Sequence, residues 1–127
     1  MFNKRLEKFA IELLKYLYKT KDYDDESLSK DVFVFCNNKK YYVAYDEKNL
    51  EKFPLRVEEN ADVSEYLEFY EKDSLNVIME GRLQEYLYYK DVKDSDKVIK
   101  KVTQIFKKYG YYYDFGTSIT LMAKKYN

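Results

Sequence analysis

The chain has 127 residues, 46% of them hydrophobic and 36% charged, and its formal net charge at neutral pH is zero. That length suits one domain with a packed core and a well-solvated surface. Histidine is absent and Cys36 is the only cysteine, which excludes Ser-His-Asp and Cys-His nucleophile systems, His- or thiolate-based zinc sites and any internal disulfide.

Residues 2 to about 19 read as an amphipathic helix. Phe2, Leu6, Phe9, Ala10, Leu13, Leu14 and Leu17 recur at helical spacing, and lysines fill most of the other face. The stretch from Asp22 to Glu26 reads as an acidic loop. Residues 32–36 and 41–45 are β-branched and aromatic, and Asn37-Asn38-Lys39-Lys40 between them makes a hairpin. Pro54 argues against a regular element running through it.

Asn60 is placed to cap a helix to about Lys72, with Val63, Tyr66, Leu67 and Tyr70 on one face. Leu75 to Met79 reads as a strand that Gly81 ends. Residues 82–89 fit a short helix better than a strand. Ser95 caps a further helix to Tyr109, and Gly110 stands where a left-handed C-terminal residue belongs. A second hairpin follows, with strands 111–115 and 118–123 and a turn at Gly116-Thr117. The expectation is a single small α+β domain over 1–127. It has two layers, an antiparallel or mixed sheet of about five strands (two hairpins plus one strand), and three to four helices.

No apolar run is long enough to span a bilayer, and the N-terminus lacks the apolar stretch of a signal peptide, so the expected location is cytoplasmic and off the membrane. Lys/Asn/Tyr richness without motifs suits a phage or mobile-element product.

Charge is unevenly spread. Residues 1–21 carry six Lys or Arg against two Asp or Glu, residues 22–88 eight against seventeen, and residues 89–127 nine against four. If the basic ends fold against the acidic middle, their fields largely cancel. If they do not, the acids at 58–73 form a face. On a helix, Asp62, Glu65, Glu68 and Glu71 fall on neighbouring turns. Together with Glu58 and Glu59 they make a candidate docking face for a protein partner with a basic surface, such as a nucleic-acid-binding protein.

The alternative is a nucleic-acid surface on the 95–109 helix and the strand after it. Lys97, Lys100, Lys101, Lys107 and Lys108 would meet phosphates, and Tyr111 and Tyr112 would stack on bases. No standard nucleic-acid-binding signature is present.

An enzymatic alternative rests on Asp31, Asp46 and Lys48. The segment Asp46-Glu47-Lys48 with Asp31 upstream resembles the D…(D/E)xK arrangement of the PD-(D/E)xK nucleases. That resemblance implies carboxylate-held Mg²⁺ and phosphodiester cleavage. It covers 18 residues and the motif is degenerate. Asp114-Phe115-Gly116 spells the kinase metal-binding tripeptide, but the chain lacks the Gly-rich and catalytic loops of a kinase, and the tripeptide reads as a hairpin turn. The expectation is therefore a non-enzymatic interaction or regulatory protein without a cofactor or metal.

Overall fold

A computed structural model describes residues 2–44 and 53–126. Helix α1 (Lys4–Lys19) begins at Asn3, whose side chain accepts hydrogen bonds from the amides of Arg5 and Leu6. Its inward face is Leu6, Phe9, Ala10, Leu13, Leu14 and Leu17, all buried. The acidic loop after it is built around Asp22. This carboxylate accepts from the amides of Asp24 and Glu26 and lies 3.2 Å from the Arg82 guanidinium.

Strands β1 (Val32–Cys36) and β2 (Lys39–Val43) form the expected hairpin. Its loop is two residues rather than four. Asn37 and Asn38 both have positive φ, at 57° and 58°, the turn geometry that matches the twist of paired strands and that Asn tolerates. A strand the sequence reading did not contain, β3 (Leu55–Glu58), starts directly after Pro54 and pairs with β2 from Val43↔Leu55 to Lys40↔Glu58. Proline is accepted there because β3 is an edge strand.

Strand β4 (Asn76–Met79) follows, then helix α2 (Arg82–Gln84), which continues directly as a π-helical segment, Glu85–Tyr89. Helix α3 (Ser95–Lys108) is preceded by Asp94 in the left-handed region. Ser95 is therefore not the cap. It is the first helical residue, and its hydroxyl donates to the Val92 carbonyl. Gly110 has φ 92°, as its position required.

Strands β5 (Tyr111–Thr117) and β6 (Thr120–Lys125) close the sheet. Their turn is at Ser118-Ile119, two residues beyond the expected one. Gly116 sits in a bulge instead, where an added Cβ would come within 2.7 Å of Thr120 Oγ1 and 3.2 Å of the Phe69 carbonyl oxygen.

The sheet order is β3-β2-β1-β4-β6-β5 and every pairing is antiparallel. Among the described residues the sheet has six strands, one more than the five or so expected, and the three helices fall within the expected three to four. Strand alternation divides the sheet into two faces. Val32, Val34, Cys36, Tyr41, Val77, Met79, Tyr111, Leu121 and Ala123 share a core with the inward residues of α1, α2 and α3. Phe33, Phe35, Lys40, Tyr42, Asn76, Met122, Tyr112 and Asp114 point the other way, to a face without helices.

The expected helix over 60–72 does not form. Only a 3₁₀ turn, Val63–Glu65, is present, and Asp62 caps it while Asn60 holds a left-handed φ of 55°. Two features oppose a helix. The apolar residues do not bury one stripe: Ala61 and Leu67 are buried, whereas Tyr66, Phe69 and Tyr70 are exposed. In addition, the Asn76 side chain takes both the N–H and the C=O of Glu71, the groups a helix would use for itself.

Cys36 is buried, its thiol facing the Leu6 carbonyl, and burial followed by the nearby Glu7 charge pushes its pKa up to about 12. The thiolate fraction at mildly alkaline pH is accordingly negligible. Iodoacetamide is expected to leave native protein unlabelled, and denatured protein should label fully by mass spectrometry. Rapid labelling of the native chain would contradict this packing.

Candidate functional site

Residues 59–73 form a strap across the helix-free face. Its two ends, Asn60 and Asp73, hold left-handed φ values of 55° and 54°. The Ala61 amide donates to the Asn38 carbonyl. The Tyr66 ring lies 5.0 Å from that of Phe35, Phe69 abuts Gly116, and Asn76 clasps Glu71. All of these sheet residues have the parity that points away from the helices. The strap explains why Phe35 is fully buried on a face without helices.

The six acids expected to form one face separate into two groups. Glu58 pairs with Lys40 at 2.6 Å and Glu59 with Lys39 at 3.3 Å. Asp62 is occupied in capping, accepting from the amide and hydroxyl of Ser64. Glu65, Glu68 and Glu71 form no ion pair among the described residues. They do not line one side of a helix, as the sequence suggested, but lie along the strap. Between them stand Tyr66, Phe69 and Tyr70, 47%, 52% and 38% exposed. The strap therefore carries exposed Glu65 and Glu68 and half-buried Glu71, none in an ion pair among the described residues, between partly exposed rings.

Lys40 fastens the strap from below. Its ammonium lies 5.2, 5.6 and 5.4 Å from the ring centroids of Phe33, Tyr42 and Tyr66, within cation–π reach. The hydrogen bond to Glu58 raises its pKa further. Sequence reading missed this arrangement. Strand alternation alone places Phe33 with Phe35, but only the register with β2 puts Lys40 beside them.

The alternative lysine–tyrosine surface is not one surface. Lys97, Lys100, Lys101, Lys107 and Lys108 are exposed on α3. Tyr111, in contrast, is buried beneath the helices, its ring 5.5 Å from Phe9. Tyr112 emerges on the opposite face beside Tyr126. Adjacent strand residues point to opposite faces, so no base could stack on both while its phosphates met α3.

What α3 does share a surface with is α1. Lys4, Arg5, Lys8, Lys15 and Lys19 are exposed on α1, and the two helices pack through Phe9 and Phe106. The carboxylates of α1 are engaged: Glu7 accepts from the Tyr41 hydroxyl, and Glu12 accepts from Lys108 and Tyr109, each at 2.7 Å. The Lys108 bond, against some desolvation, holds the Glu12 carboxyl below its ordinary value. The α1–α3 surface is thus predominantly basic, with Asp96 its one exposed acid among the described residues, and the strap on the far side of the sheet is acidic. The acids of the strap do not meet the basic residues of α1 and α3; the sheet separates them.

Of the nuclease constellation, Asp31 precedes β1 with φ 60° and its Cβ lies close to Gly81. Asp46 and Lys48 lie outside the described residues. Among the described residues no group of three His, Cys, Asp or Glu could hold a metal ion, and no helix is long and apolar enough to cross a membrane. A cavity of about 1050 Å³ opens at one end of the sheet, between the start of α1, the β1–β2 turn and the two ends of the strap. No family model, characterised protein or solved structure matches the chain.

Proposed function

We propose that this chain is a non-enzymatic interaction protein whose strap docks on a basic surface of a partner protein. One observation carries the reading: Glu65, Glu68 and Glu71 are free of ion pairs among the described residues and alternate with exposed Tyr66, Phe69 and Tyr70. Free carboxylates steer a basic surface into contact and set its orientation. Exposed aromatic rings supply the contact area that residues at the centre of an interface typically provide. Asn76 and Lys40 hold the strap before binding, which reduces the ordering cost on association. In its sharper form the protein is an inhibitor. Its carboxylates occupy the groove where a nucleic-acid-binding protein holds phosphates.

The test compares wild type with E65K/E68K/E71K as bait in a lysate of the source cells, with partners identified by mass. The reversed strap is expected to lose at least about tenfold of the recovery, equivalent to about 1.4 kcal/mol. Wild-type partners should elute with salt, as weakly buried charge pairs do. A captured protein should also release its nucleic acid when the chain is added. Undiminished recovery by the reversed strap would reject the reading.

A further inference from the structure

The acidic strap and the basic α1–α3 face lie on opposite sides of the sheet, and the chain as a whole has no net charge. A protein near zero net charge has no long-range repulsion to keep copies apart. Here the strap and the α1–α3 surface also carry opposite signs. We propose that the strap of one copy docks on the α1–α3 face of the next, so that the chain assembles head to tail. This rests on the reading of the strap as a docking surface and names a second copy of the chain as one occupant.

The symmetry of the contact follows from the charges. A two-fold dimer through either broad face would set like charge against like: Glu65, Glu68 and Glu71 against themselves, or Lys97, Lys100 and Lys101 against themselves. Only the unlike faces attract. A contact between two different faces leaves one of each free at the ends, so growth continues rather than stopping at two. A standard interface takes about 800 Å² from each partner, about a tenth of the 7968 Å² surface of this chain. The forces are those of exposed charges, so assembly should be weak and depend steeply on salt.

Sedimentation of the full chain over a range of concentrations tests this. It is run at about 0.01 M and about 1 M salt, where the screening length is about 30 Å and about 3 Å respectively. At low salt the average mass should rise with concentration past the dimer; at high salt it should return to the monomer. E65K/E68K/E71K alone and K97E/K100E/K101E alone should each stay monomeric at low salt. Mixed in equal amounts they should associate, because one is then basic on both faces and the other keeps its acidic strap while its helical face is close to neutral. A wild-type chain that stays monomeric at low salt overturns the proposal. So does association that survives high salt or either reversal. The docking reading can survive the failure of this proposal. If K97E/K100E/K101E still captures partner proteins while wild type remains monomeric, the strap docks on other proteins and not on its own kind.

Discussion

Replacing Phe9 by Ala is expected to lower the free energy of unfolding by about 3–5 kcal/mol. Phe9 is fully buried and is where α1 meets both α3 and the sheet. Its ring meets Phe106 edge-on at 4.8 Å, stacks on Tyr109 at 5.0 Å, and lies 5.5 Å from Tyr111. Aromatic pairs of this kind contribute about 0.5–1.5 kcal/mol beyond their buried area, so the loss should fall in the upper part of the range. Against a total stability of about 5–15 kcal/mol, that is a large share. Around the ring, Arg5 donates to the Lys108 carbonyl and Glu12 binds Lys108 and Tyr109. These exposed contacts are worth far less and cannot hold the two helices together alone. Urea titration should show a lower midpoint with an unchanged slope. Phe2→Ala, at a residue 46% exposed, should move stability by no more than about 0.5 kcal/mol. Equal effects at the two positions would mean that α1 does not dock through Phe9.

Helix α1 was legible because its apolar residues repeat at helical spacing over four turns, and nothing distant competes with that pattern. The first hairpin and Gly110 were legible for a similarly local reason: Asn-Asn and Gly are residues that tolerate positive φ. The strap was not legible. Val63, Tyr66, Leu67 and Tyr70 have helical spacing too, and what decides against a helix is Asn76, which occupies the backbone of Glu71 from outside the segment. Strand β3 was invisible for another reason. Leu-Arg-Val-Glu is too short to show a period, and only pairing with β2 makes it a strand. Gly116 stands out in the sequence as a turn residue, but its place in a bulge depends on the Phe69 backbone that crowds it, which comes from the strap. On the surface, the segment charges were readable, but the placement of the strap acids across the sheet from the lysines of α1 and α3 depends on topology. Tyr111 and Tyr112 were grouped because they are neighbours in sequence, although strand alternation sends them to opposite faces.

Asn76→Ala is expected to free the strap while leaving the helical core folded. Asn76 is 1% exposed, on the helix-free face between Phe35 of β1 and Met122 of β6. Its Oδ1 accepts from the Glu71 amide at 2.8 Å and its Nδ2 donates to the Glu71 carbonyl at 3.0 Å. Removing both bonds should cost about 1–3 kcal/mol. The cost need not spread to the core, because Ala61, Leu67 and Phe35 are buried outside the main hydrophobic cluster. Hydrogen exchange separates the two. Amides of residues 61–72 should lose protection, and those of α1 and α3 should keep it. Asn76→Asp, which buries a carboxylate against the Glu71 carbonyl in place of the amide donor, should not restore the clasp. If every amide loses protection equally, the strap is part of the core rather than a separate layer. The same variant bears on the docking reading. A strap no longer held in place must be ordered on binding, at about 1–2 kcal/mol for each backbone residue fixed. Partner recovery should therefore fall although Glu65, Glu68 and Glu71 are all still present. Full recovery by Asn76→Ala would show that the carboxylates act by charge alone, and that the clasp at Glu71 serves the fold and not the interface.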